Sequence, residues 1–146
     1  MDTTGFFDYP TLPAAAPASD PQLLPHATGE DWDALLAATE TLRFHPGDVV
    51  LRAGERDRAL LLLLDGTLAT DDASVSAPAA VGVGAFLDGL PRAVSLRATT
   101  HGELARLSWD AYEALAARDP RLGRTLLLDL GGLLAARLRG VPGWTG

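Results

Sequence analysis

Residues Val81–Thr100 read VGVGAFLDGLPRAVSLRATT. Gly82 and Gly84 open the stretch, Pro91 and Arg92 stand in its middle, and Val94 to Thr100 closes it with the apolar–polar alternation of a half-buried strand. The glycines permit turns that other residues resist. A valine, Val83, sits between them. Arg92 carries a fixed charge into this apolar setting, so it calls for an anion or a carboxylate.

Working outward, the chain of 146 residues suits one domain with a short extension. Apolar residues make up 47%, enough for a real core, and the net charge is −7. An acidic surface argues against non-specific attraction to nucleic acid or anionic lipid, so neither is expected as a partner. All twelve basic residues are arginine, and the chain has no Lys, Asn or Ile. The absence of cysteine excludes disulfides, thiolate metal sites and cysteine nucleophiles. The N-terminus MDTTGFFDYP lacks the basic and apolar segments of a secretory signal. The apolar run Ala59–Leu64 is far shorter than the ~20 residues of a membrane helix. A soluble, cytoplasmic protein is the expectation.

Residues 1–27 hold five prolines among alanines and small polar residues, which reads as an extended leader. Phe6, Phe7 and Tyr9 interrupt it with three aromatics in FFDYP. They either fold back onto the domain or form a linear docking motif for a protein partner. Thr28 then caps a helix, with Glu30 and Asp31 in its first turn and Trp32, Leu35, Leu36 and Leu42 at helical spacing. From Leu42 to Ser108, short apolar runs alternate with turn residues, the texture of an antiparallel barrel or jelly roll. Gly47, Gly54 and Gly66 fall where turns need positive φ. Ser108 can cap WDAYEALAAR. Asp119, followed by Pro120 at the first helical position, can cap a longer helix rich in leucine. Its leucines cover more than one stripe, which suggests an added contact such as a homodimer through this C-terminal helix. Gly131-Gly132 within it marks either a bend or a close helix approach.

One helix, about eight short strands, a glycine–arginine stretch and two helices follow in an order that resembles a cyclic nucleotide-binding domain of the Crp/Fnr type. FHPGDVVLRAGERDRALLLLLDGTL is similar to that family's pattern F-x-P-G-x-x-[IV], a glycine turn and an apolar strand ending x-G-x-[LV]. VGVGAFLDGLPRAVSLRA resembles its phosphate-binding cassette, F-G-E-x-A-L, a few residues, then P-R-[SA]-A-[TS]-V-x-A. The resemblance implies a mainly β fold, an antiparallel jelly roll (double-stranded β-helix) with one helix before it and two after. The expected organisation is a leader over 1–27, a domain over 28–140 and a tail over 141–146.

In such a cassette a short helix opening over Gly82, Val83, Gly84 and Ala85 would aim backbone N–H groups at an anion. Arg92 would bind phosphate in a forked geometry, with Ala93 and the Ser95 hydroxyl beside it. The resemblance implies cAMP, cGMP or another phosphorylated small molecule as ligand, with no cofactor required. At the position of the family's ribose-binding glutamate stands Val83, which accepts no hydrogen bond. A hydroxyl buried without a partner costs ~1–3 kcal/mol, so weak or altered binding is expected. Alternatively Arg92 is structural, paired with a carboxylate such as Asp88.

Other signals are weaker. Gly82-Val83-Gly84 opens like a dinucleotide fingerprint, but position 87 is leucine and no parallel βαβ pattern surrounds it. His26, His45 and His101 are too scattered for a metal site, and no serine sits in a nucleophile motif. Catalysis is not expected. The residues after the last helix are too few for a DNA-reading element, so any output is expected to pass through a protein partner. Two functions follow: a non-catalytic regulatory module, or a ligand-free scaffold of the same fold, tethered to a larger assembly by the aromatic leader.

Overall fold

A computed structural model describes residues 23–143. The chain runs α1 (Gly29–Ala37), β1 (Glu40–Phe44), β2 (Val49–Leu51), β3 (Ala59–Asp65), β4 (Thr67–Ala69), β5 (Ser74–Ser76) and β6 (Ala79–Val81). It continues with α2 (Val83–Asp88), β7 (Leu96–Ala98), β8 (Gly102–Ser108), α3 (Trp109–Arg118) and α4 (Pro120–Arg139). Four strands form one sheet in the order β1-β8-β3-β6 and four another in the order β2-β7-β4-β5. Every pairing is antiparallel.

The unbroken apolar run of β3 explains how the layers meet. Successive side chains of a strand point to opposite faces. Leu60 and Leu62 therefore join Trp32, Leu35, Phe86, Leu107, Tyr112 and Leu126 under the helices. Leu61 and Leu63 join Phe44, Leu51, Leu68, Val75, Leu96 and Leu104 between the two sheets. A strand covered on both faces has no need of polar alternation. The first sheet is thus a wall with a core on each side.

Helix ends follow the local chemistry. Thr28 Oγ1 accepts from Asp31 N, and the Asp31 carboxylate accepts from Thr28 N, a reciprocal cap. Ser108 caps α3 through Ala111 N, and Asp119 caps α4 through Leu122 N. Gly47, Gly54 and Gly66 have the positive φ their turns require. Leu42 departs from the sequence reading. The helix stops at Ala37, and Leu42 lies on β1 opposite Leu104, largely exposed. Its helical spacing to Leu35 was coincidence across a chain reversal.

Phe6, Phe7 and Tyr9 lie outside the described residues. Residues 23–27, grouped with the leader on composition, rest on the domain: Leu23 and Leu24 are buried in the helix-side core. Burying such leucines stabilises by ~1.5–3 kcal/mol each, enough to outweigh the neighbouring prolines. The His26 backbone N–H donates to Asp129 Oδ2 of α4 at 2.9 Å, and its ring Nδ1 lies 2.6 Å from Oδ1.

α4 is continuous through Gly131 and Gly132, both exposed, with nothing within 4 Å of where a Cβ would stand. Gly123 is different. A Cβ there would come within 2.5 Å of the Ala116 Cβ on α3, and the Tyr112 hydroxyl donates to the Gly123 carbonyl at 2.8 Å. The close α3–α4 approach therefore depends on that glycine. Replacing Gly123 with Val should force the two helices apart and destabilise the domain by about 1–3 kcal/mol. Urea denaturation checks this, and a variant as stable as wild type would contradict it.

Candidate functional site

The cassette begins where β6 ends. Gly82 caps α2 with φ 74°, a left-handed conformation open to glycine. A Cβ at that position would also collide with Arg92 Nη1. Glycine is thus required twice, for the turn and for the guanidinium lying against it. α2 has only six residues and ends at Gly89, also left-handed. Arg58 closes it, donating from Nε to the Phe86 carbonyl and from Nη2 to the Leu87 carbonyl, both at 2.9 Å. The same guanidinium stacks 3.6 Å above the Trp109 ring. Phe86 meets Trp109 and Tyr112 edge-on, which locks α2 to α3.

Arg92 is 4% exposed. Its Nη1 donates to the Gly82 carbonyl at 3.0 Å and its Nη2 to the Ala59 carbonyl at 2.8 Å. Nη2 also lies 3.4 Å from Asp57 Oδ2, while Arg106 Nη2 reaches Asp57 Oδ1 at 2.5 Å. Nε is buried and makes no hydrogen bond. Burial pushes the Arg92 pKa below the ordinary arginine value, against the pull of Asp57. Its carboxylate partner is Asp57, not Asp88. Asp88 instead accepts from Leu90 N at its own loop.

The other cassette residues are placed as follows. Val83 is buried among the core side chains under the helices, beside Phe86. Gly84 and Ala85 are half-buried on α2, and Ala93 is exposed beyond Arg92. Ser95 is exposed, and its Oγ accepts from Ala53 N at 2.9 Å. The backbone of Arg92 pairs with the same turn, Gly54 N to the Arg92 carbonyl and Arg92 N to the Glu55 carbonyl, each at 2.8 Å. Residues 92–95 are therefore stitched to the β2–β3 connection. A cleft of about 460 Å³ opens on the second sheet beside Ser95, over Val49, Ala69, Arg97 and the Asp71-Asp72 turn, and its lining does not include Arg92.

Three residues of this network were not singled out in the sequence. Asp57, Arg58 and Arg106 hold Arg92 and α2. The charged triplet Arg56-Asp57-Arg58 directly before an apolar strand was a visible signal, but its partners lie far along the chain. A fourth is Arg137, whose Nη2 donates to the Ala80 carbonyl at 2.6 Å and so ties the end of α4 to the strand before the cassette. Burial pushes its pKa down to about 10. Among the described residues, no group of three or more His, Asp or Glu is placed to hold a metal ion. No helix among them is long and apolar enough to cross a membrane.

Residues 41–119 match the cyclic nucleotide-binding domain family. Among solved structures, a cyclic nucleotide-binding domain from Methylobacillus flagellatus is 30% identical, with 77% of this chain and 68% of that one covered and a TM-score of 0.71. The N-terminal domain of a transcriptional regulator from Streptomyces coelicolor shares the fold at 18% identity and TM-score 0.69, over 88% of this chain and 98% of that one. The c-di-GMP-responsive global regulator of Xanthomonas campestris is 25% identical, TM-score 0.64, with 77% of this chain and 60% of that one covered. No curated protein matches the chain.

The Asp57 cluster carries a pH dependence. Burial works to raise the Asp57 pKa, but Arg106 and Arg92 outweigh it and hold the carboxyl below its ordinary 3.8. A depressed carboxylate contributes stability that is complete above its unfolded value and lost as pH falls through the folded one. Asp57→Asn should therefore be less stable than wild type at pH 7, with the difference shrinking below about pH 4. Paired urea titrations at pH 7 and pH 3 check this. An equal difference at both pH values would show that ionisation of Asp57 contributes nothing.

Proposed function

The chain belongs to the cyclic nucleotide-binding domain family, and we propose that it works there as a non-catalytic regulatory module that acts through a protein partner and binds cyclic nucleotides weakly. The observation that carries this reading is the engagement of Arg92. Its guanidinium already serves the Gly82 and Ala59 carbonyls and Asp57, inside the protein. A phosphate must compete with those acceptors, and each bond it displaces leaves a buried group that costs ~1–3 kcal/mol. Three of its five N–H groups are committed, leaving Nε–H and one N–H of Nη1. Val83 removes the second anchor, since a buried valine offers a ribose hydroxyl no acceptor. Absent strong ligand control, regulation falls to the surfaces the domain presents.

A ligand at one hundred times its dissociation constant stabilises its protein by ~2.7 kcal/mol. Thermal denaturation with cAMP, cGMP and c-di-GMP, each up to millimolar concentration, should show much less than this. Arg92→Ala should destabilise the ligand-free protein by about 2–3 kcal/mol, because it removes the guanidinium's bonds to the Gly82 and Ala59 carbonyls and leaves Asp57 to Arg106 alone. A full stabilisation by micromolar nucleotide that vanishes in Arg92→Ala would falsify the reading.

Position 83 gives a second test. Val83→Glu places a carboxylate where the family has one, but in this chain that side chain faces the apolar core. The expected result is a loss of at least about 2 kcal/mol of stability with no gain in nucleotide affinity. A variant that folds as well as wild type and acquires cAMP binding would show the cassette to be competent and lacking only its acceptor.

A further inference from the structure

Arg92 and Arg106 meet on a single carboxylate. Arg106 stands opposite Leu61 in the sheet, so its side chain shares the face that β3 turns toward the second sheet. Asp57 bridges the two guanidiniums, with Oδ2 3.4 Å from Arg92 Nη2 and Oδ1 2.5 Å from Arg106 Nη2. The cluster is short of negative charge. Two fixed positive charges share one carboxylate in contact, while Glu55 acts on Arg92 only from beyond ion-pair distance. Glu40, opposite Arg106 on β1, makes no ion pair among the described residues. The cluster is also short of acceptors. Arg92 keeps Nε–H and one N–H of Nη1 free, and Arg106 donates to Asp57 alone among the described residues. Water reaches it from one side, because the Asp57 and Arg106 side chains are 36% and 31% exposed and that of Arg92 only 2%.

We propose that Asp57 holds the place of an oxyanion, and that the anion able to take that place is a phosphate dianion, free or at the end of a monoester, bound between Arg92 and Arg106; this rests on the reading above that Arg92 is satisfied within the protein. Arg106 thereby becomes a second anion-binding residue, and the favoured ligand class changes. A cyclic phosphodiester carries one negative charge, so exchanging it for the Asp57 carboxylate leaves the charge balance where it was. It must also compete with a tethered group, whose effective concentration is about millimolar. A phosphate monoester carries about −1.5 to −2 charge at pH 7 and three strong acceptor oxygens. It can balance both guanidiniums and reach N–H groups that Asp57 leaves free. The displaced Asp57 lies on the β2–β3 connection, already partly in water, and can turn outward.

Thermal denaturation of the full chain at pH 7.5 tests this with inorganic phosphate, 5′-AMP and cAMP, each against sodium chloride of matched ionic strength. Asp57→Ala removes the competitor, so a rise in Tm of about 4 °C should need at least roughly tenfold less phosphate or 5′-AMP than in wild type. In that variant cAMP should give a much smaller rise than 5′-AMP. Adding Arg106→Gln should abolish the response, whereas adding Arg43→Gln, at an exposed arginine paired with Glu103, should leave it. Asp57→Ser is the second variant, and one that melts too low is read by whether phosphate restores its transition. The proposal is overturned if both Asp57 variants respond to phosphate no more than wild type does, if the response survives Arg106→Gln, or if cAMP equals 5′-AMP in Asp57→Ala. Tight cAMP binding by wild type, by contrast, sinks the weak-binding reading on its own and is measured without any Asp57 variant.

Discussion

A guanidinium without water must find acceptors inside the protein, and the architecture around Arg92 is organised by that requirement. Its three acceptors come from separate parts of the chain: the end of β6 at Gly82, the start of β3 at Ala59, and Asp57 in the β2–β3 connection. The backbone of the same residue pairs with Gly54 and Glu55. One residue therefore fixes where β6 turns into α2, where β3 begins and how the intervening loop lies. Desolvating a charge costs several kcal/mol, repaid only by good geometry and further hydrogen bonds. Arg106 completes the arrangement by holding the other oxygen of Asp57. The glycine at 82 follows from the same demand, because any Cβ there would occupy the space of the guanidinium.

From this point the constraint spreads through the layers. α2 is closed by Arg58, which stacks on Trp109, so the cassette helix cannot move without disturbing α3. Phe86 sits in the same aromatic group and belongs to the core that α4 covers. Arg137 ties the last turns of α4 to Ala80, on the strand that leads into Gly82. The cassette and the C-terminal helices are thus one packed unit. A change at either end has a material route to the other, through β6 and α2, although only differential binding could drive it.

The sequence made the local chemistry legible and left the distant pairings hidden. Thr28, Ser108 and Asp119 announced helix starts because a cap is satisfied within three residues. The strand run through β3 and the cassette pattern carried the fold because they are contiguous. Asp57 and Arg106 could not be matched by inspection, since their contact joins positions far apart that only sheet register brings together. Leu42 shows the opposite failure, in which periodicity ran across a reversal that spacing does not record. Leu23 and Leu24 were masked by their proline-rich surroundings, yet two leucines can hold a segment that its neighbours would leave loose.

The substitution at position 83 is best understood together with Arg92. A cassette that binds a nucleotide can leave its arginine to be satisfied by the ligand, and then needs a nearby acceptor for the sugar. Where the chain itself supplies the arginine's acceptors, that second group has no work, and a carboxylate facing the core would only add the cost of a buried charge. Val83 instead packs against Phe86 and the helix-side core. On the proposed reading of weak nucleotide binding, the missing acceptor at position 83 and the internally paired guanidinium of Arg92 belong together. What the contacts themselves establish is structural: Arg92 joins the start of β3 to the turn from β6 into α2.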